Sequence, residues 1–436
     1  MFRNRVNNND EMSAKAFSFS RRLSKLRGGA LYISILVSII LGVTLTFFIL
    51  IANYNQRNVT AFLQASQLQY NLKSAFQAAQ SAYFLQEHTT VWIKNPVNDD
   101  SMRINKLSWG AYLLICAETK NRHHYLSQSG LYGTYMSADT GLMVSENSRP
   151  LGLSGNVVFK AGCYIPKAGI KPAYIEGQSY NSNAENYKHF RPAPFQIPGV
   201  NAEFCKGLKQ QLHKGDLFLD SSIVIIPEHC NQPFMQKTLV CEVLTGYLRN
   251  TRLSNNIRLM CDDIEIDSSA KLNNILIVCR KARFTKGFKG KVHVIASDSI
   301  SMEENCEFFY PSSFVLFDEG KGAEGFKFIQ FNAHCKFSGG VLALGENNSG
   351  YSRKVIIKLH AQSEVNGMIY SKDYVHIEGM ANATIITDKV LIKSPSAVYE
   401  NHLLSCEINP KKYGASLAVP LVFSSRARLL CCERIN

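Results

Sequence analysis

Between positions 30 and 52 the chain reads ALYISILVSIILGVTLTFFILIA, apolar on every face and without one charged side chain. Such a run predicts a helix surrounded by lipid or by protein. At ~1.5 Å rise per residue it spans roughly 35 Å, enough for a ~30 Å hydrocarbon core with some tilt. Ser34, Ser38, Thr44 and Thr46 are compatible with it, because a helical hydroxyl can bond a carbonyl one turn back. The pattern then changes. Val59, Phe62, Leu63, Leu68, Leu72, Phe76, Tyr83 and Phe84 recur at mostly helical intervals among Gln and Ser, and neither Pro nor Gly interrupts 53–94. This predicts an amphipathic helix over 54–88. It is either a stalk that packs on a copy or partner, or a helix docked on its own domain.

From 89 to 150 the pattern is mixed, and VWIK, WGAYLLICAE and GLYGTYMSADTG predict a small strand-rich subdomain. From 151 to 425 short alternating strands dominate, opening with LGLSGNVVFKAGCYIP and broken by an irregular insertion near 177–215. Corresponding strands at 275–278, 292–295, 314–317, 341–344 and 367–370 recur every 17 to 27 residues, a period that fits one coil of a β-solenoid. Inward positions are mostly Val, Ile, Leu, Phe and Cys; outward ones are often Lys, Asp, Ser or His. A β-sandwich also supplies many short strands. The solenoid is favoured because neighbouring segments look like variants of one another, and because Asn366-Gly367 is the one strong hairpin dipeptide among them. The fold class expected is therefore mainly β: a transmembrane helix at 29–53, the amphipathic helix, then a β-helix, with 426–436 as a tail.

Charge orients the chain. Residues 1–28 carry Arg3, Arg5, Lys15, Arg21, Arg22, Lys25 and Arg27 against Asp10 and Glu11, which predicts a cytoplasmic N-terminus and an extracytoplasmic body. A cleaved signal peptide would have an apolar core of only ~7–15 residues and a small-residue cleavage site. An uncleaved anchor fits better. The net charge of +14 exceeds what this leader supplies, so the body is basic too. Anionic glycans or lipids are the partners such a surface attracts, and the topology argues against nucleic acid. The twelve cysteines form no C-x-x-C pair, which removes support for zinc ribbons and thioredoxin-type chemistry. Cys279, Cys306 and Cys335 fall at inward strand positions and read as small buried hydrophobes. An oxidising compartment leaves room for one or two disulfides, whose pairing spacing alone leaves open.

The spacing in EVNGMIYSKDYVHIEGMANATIITDKVLI resembles the bactofilin family, polymer-forming proteins with a β-helical core. That resemblance covers the last third of the chain and implies fold and self-association. The leader RRLSKLRGG, followed by an apolar helix running into an amphipathic one, resembles a type IV pilin or pseudopilin N-terminus. Counted from Gly29, Ser34 stands where those families carry a glutamate. With SGNVVFKAGCYIPKAGIKPAYIEGQSY, the whole is similar to uncharacterised bacterial envelope proteins encoded with pseudopilin-like parts.

Chemistry-bearing motifs are few. Asp262-Asp263 is the one carboxylate pair near strands that a glycosidase could use, but adjacent strand residues face opposite sides, which favours solvated turn acids. GKGAEG at 320–325 matches G-x-G-x-x-G, yet the strand pattern FKFIQF follows where a dinucleotide site needs a helix. His123-His124, His229 beside Cys230 and His334 beside Cys335 lack zinc-site spacing. No cofactor, metal or catalytic residue is therefore assigned. The cluster above background is Arg280, Lys281, Arg283, Lys286, Lys289 and Lys291, which would form a basic band on one coil. It is a candidate anionic-ligand patch, or else a charged face that blocks edge aggregation. The function expected is a single-pass inner-membrane protein whose body serves as a structural or assembly module, a minor component of a pseudopilin-like or surface-export apparatus. The alternative is a membrane-tethered polysaccharide-binding or polysaccharide-modifying β-helix.

Overall fold

The computed structural model describes residues 29–80, 91–94, 100–122, 124–181, 190–212, 222–223, 226–318, 327–345, 354–395, 397–412, 417–423 and 429–435. The chain divides into two compact units, Met1–Gln67 and Leu68–Asn436. One uninterrupted helix, Gly29–Gln80, supplies the described part of the first and the opening of the second. In its apolar stretch the hydroxyls bond back within the helix: Ser34 to the Leu31 carbonyl (2.9 Å), Ser38 to Ser34 (2.8 Å), Thr44 to Leu41 (2.9 Å) and Thr46 to Gly42 (2.8 Å). By length and composition this helix can cross a membrane.

In the second unit, Leu72, Ala75, Phe76 and Ala79 share one helical face and pack on Ile104, Ile115, Ala117, Tyr132 and Leu429, with Leu68 buried one turn earlier. Over 68–80 the amphipathic helix is thus docked on its own domain. It lies against a five-stranded antiparallel sheet in the order Val91–Lys94, Ser101–Trp109, Tyr112–Lys120, Tyr125–Thr134, Leu429–Ile435. The stretch 426–436, expected to be a tail, therefore supplies a sheet strand at 429–435. Leu107, Trp109, Tyr112, Leu114 and Leu131 cover the other face of this sheet and meet Leu276, Ile295, Val315, Leu342, Met368 and Ile386. Burial on both faces explains why YLLICAE reads as one apolar run rather than an alternation.

Most of the remaining described strands form a parallel, solenoid-like sheet that winds coil upon coil, apart from a short antiparallel pair at 174–175 and 178–179 and a three-stranded sheet of 402–404, 151–154 and 170–172. Cys241, Leu259, Ile277, Val294, Phe314, Val341, Ile369 and Ile385 stand one above another in register. Their separations along the chain run from 16 to 28 residues. Each coil bends where its register shifts, as Lys271–Phe284 does at 273/275 and 279/281. Asn255 and Asn274 take left-handed φ values of 67° and 58° at one such corner. On later coils the corner falls to Gly339 and Gly367, where an added Cβ would collide with a carbonyl of the neighbouring coil (Ser312 and Gly339). Asn366-Gly367 is thus a bend within Glu364–Ile377, not a hairpin.

The ladder does not follow chain order to its end. Past Ile385 it continues into Leu142, then Cys163 and Phe190. Strand Thr140–Val144 belongs to this stack, so the antiparallel sheet ends before the subdomain boundary expected at 150. The segment expected to open the solenoid instead extends its C-terminal coils. A terminal coil presents unpaired backbone groups, and covering them removes a sticky edge. The insertion includes helix Ala202–Leu212, whose Gln211 side chain accepts from Gly110 N–H (2.8 Å) and donates to the Gly110 carbonyl (3.2 Å). Inside the coils, Phe284, Phe288, Phe308, Phe314, Phe331 and Phe337 form a continuous aromatic core. Cys279, Cys306 and Cys335 lie buried in that same core.

Candidate functional site

The six basic residues singled out above project from two successive coils, and each meets a carboxylate. Arg280 pairs with Asp263 (2.5 Å), Lys281 with Asp298 (3.6 Å), Lys286 with Glu304 (2.8 Å) and Lys289 with Glu307 (3.0 Å). Arg283 bridges Glu303 and Glu265, the latter at 3.6 Å. Register alone produces two of these contacts, since Glu265 aligns with Arg283 and Lys289 with Glu307 on adjacent coils. The bond from Arg283 holds Glu303 below the usual carboxylate range, and the bond from Lys286 does the same for Glu304. Exposed pairs of this kind add little stability, but opposite charges face each other only in the correct register. Lys291 differs. It is largely buried and meets Glu433 of the C-terminal strand at 2.6 Å, while Asn274 donates to the other oxygen of Glu433 (3.2 Å). This links sheet to coil.

Asp262 and Asp263 lie at the rim of a cavity of about 740 Å³, lined among the described residues by Leu212, Glu242, Thr245, Cys261, Cys279 and Arg280 as well. The Asp262 carbonyl accepts from both Arg280 N–H (2.7 Å) and Lys281 N–H (3.0 Å), which marks the bulged corner that opens the cavity. Both aspartates are exposed corner residues, and Asp263 is engaged by Arg280. At the floor sit two thiols from consecutive coils, Cys261 half-buried and Cys279 buried.

A second polar group lies where the antiparallel sheet meets the coils. His293 is fully buried; Ser313 Oγ is 2.9 Å from its Nδ1 and accepts from Ala111 N–H (3.2 Å). Its Nε2 and the Tyr112 hydroxyl have no partner among the described residues. Burial, then nearby Lys291, pushes His293 down to about 3, so it is neutral at physiological pH. Sequence reasoning missed this group. The available signal was a histidine on the outward side of KVHVIASD, aligned between the apolar Leu276 on one neighbouring coil and Ser313 on the other.

The other motifs stay apart. GKGAEG lies outside the described residues, between two strands that end at Asp318 and begin at Lys327. His123 is also outside them; His229 is exposed in strand His229–Gln232, and His334 occupies a turn at φ 59°. Among the described residues no group of three or more His, Cys, Asp or Glu could hold a metal ion. In the first unit, the large apolar side chains from Leu31 to Leu63 are all exposed. Compared with known proteins, the chain matches no family model, no curated protein and no solved structure.

Proposed function

We propose that this protein is a single-pass membrane protein whose extracytoplasmic β-helix serves as a structural or assembly module. The observation that carries the proposal is the exposed, uncharged helix surface from Leu31 to Ile51, which needs a hydrocarbon cover. The basic leader keeps the N-terminus in the cytoplasm of a bacterial inner membrane, and the body stands on the far side. The resemblance to pilin and pseudopilin N-termini and to bactofilin coils supports a role as a minor component of a surface-export or pseudopilin-like apparatus. The body acts by packing and display. Its conspicuous cations already face carboxylates, which favours partners that recognise shape over ligands that recognise charge.

The test is alkaline-carbonate extraction of membranes, followed by protease treatment of intact spheroplasts. Retention in the pellet together with digestion of the body is expected. Release by carbonate, or a body that survives until the membrane is lysed, overturns the proposal. The cavity rimmed by Glu242, Asp262 and Asp263 favours one second reading, a tethered polysaccharide-binding or polysaccharide-modifying protein. Asp262→Asn with Asp263→Asn should abolish glycan-array binding on that reading and leave it unchanged on the first.

A further inference from the structure

Consecutive coils place equivalent positions one strand apart, and at two levels of this stack the equivalent positions are both cysteine. Met260 aligns with Val278, so Cys261 and Cys279 follow as the next pair; Glu307 aligns with Lys336, so Cys306 and Cys335 precede as another. Adjacent parallel strands lie ~4.8 Å apart, inside the ~4.4–6.8 Å window of Cα separations that a disulfide spans. In each pair the neighbouring thiol holds its partner's ionisation up, Cys261 that of Cys279 and Cys335 that of Cys306. They differ in access. Cys306 and Cys335 are sealed in the core, whereas Cys261 and Cys279 line the open cavity.

We propose that Cys261 and Cys279 are a redox-modification site, a dithiol that closes to an inter-coil disulfide by exchange with a small disulfide oxidant. The half-buried Cys261 meets the oxidant first. Cys261 gives its proton to solvent and the thiolate attacks one sulfur of RS–SR; the S–S bond breaks and RS⁻ leaves, taking up a proton from solvent as RSH. Cys279 then gives its proton to solvent and attacks the Cys261 sulfur of the mixed disulfide, expelling the second RS⁻, which is protonated in turn. Two protein thiols are oxidised, one RS–SR is reduced to two RSH, and protons balance. In the resting pair the bond to Cys261, and then burial, hold the Cys279 thiol up. The cavity gives an oxidant the size of glutathione a route to the first sulfur, and the 279/281 bulge gives the corner slack to draw the two sulfurs together.

The geometry stands alone, while oxidation in the cell rests on the extracytoplasmic placement proposed above. The test uses the full chain in detergent, reduced, desalted, exposed to oxidised glutathione, then denatured in an excess of alkylating reagent so that the buried thiols react too, and mapped by mass spectrometry. The expected result is a Cys261–Cys279 linked peptide with the loss of two of the twelve alkylatable thiols. Cys279→Ser should arrest at glutathione on Cys261, and Cys306→Ser with Cys335→Ser should leave the link unchanged. Parent protein that keeps glutathione on Cys261, or that shows both thiols still alkylatable, overturns the proposal. Protein trapped with acid directly from cells supplies the second arm: a link that forms in vitro but is absent there supports this pairing and counts against export.

Discussion

Lys327→Met removes one partner of a deeply buried ion pair. Lys327 Nζ lies 2.6 Å from Asp318 Oδ1, and the two side chains are 4% and 2% exposed. At that separation and an effective dielectric of ~20 the attraction is roughly 6 kcal/mol, most of it offset by stripping water from two ions. As a unit the pair is close to neutral, whereas Asp318 left buried without its lysine costs about 3–5 kcal/mol. An unfolding entropy of ~2.1 cal/mol/K per residue, over the roughly 370 residues of the second unit, converts ~4 kcal/mol into a Tm loss of about 5 °C. Calorimetry on Lys327→Met, Asp318→Leu and the double variant reads this directly. Both single variants should melt about 4–6 °C below the parent, and the double variant should return to within about 2 °C of it. The reasoning fails if the single variants melt with the parent, or if the double variant falls below both.

Three further outcomes follow from the same packing. Phe314 is fully buried, with the rings of Phe308 at 4.9 Å and Phe337 at 4.7 Å, so Phe314→Ala should lower the unfolding free energy by about 3–5 kcal/mol in urea titrations. A loss below ~1 kcal/mol would mean that the core collapses around the gap. His293 is depressed to about 3 in the folded state, below the unfolded value of ~6.5. Its contribution to stability is therefore complete above about pH 6.5 and is lost toward pH 3, at up to ~1.4 kcal/mol per pH unit. His293→Asn should flatten the acid limb of stability between about pH 6 and 4, and an unchanged slope would assign that limb to other groups. Glu433→Gln weakens the link to Lys291 and Asn274, so amide exchange in Leu429–Ile435 should accelerate by about tenfold, as a ~1.4 kcal/mol loss implies, while the Phe314 level stays protected.

Much of the architecture was legible in residue pattern. The charge-free run at 30–52 and the helical spacing of Leu68, Leu72 and Phe76 are local properties, and both lie in the single helix Gly29–Gln80. The recurrence behind the stacked coils was equally readable, because each coil must repeat an inward apolar face to share one core. Inward cysteines followed from the same alternation. The basic band was visible as a cluster, but not its counter-charges: Glu303, Glu304 and Glu307 are a coil away, and Glu433 is far removed along the chain. A one-dimensional count of lysines does not see a partner brought in by register.

What the sequence determined by itself is whatever depends on neighbours within a few residues: the uncharged helix, the strand alternation, and the coil-like period. Only the tertiary structure decided which coil sits on which. Nothing local requires Leu142 to stack on Ile385, residues 429–435 to join the antiparallel sheet, or Cys261 to meet Cys279. The first two pairings arise because terminal coils and sheet edges carry unpaired backbone groups, and the segment that satisfies them is chosen by the shape of the remaining chain; the third follows from the register of two internal coils.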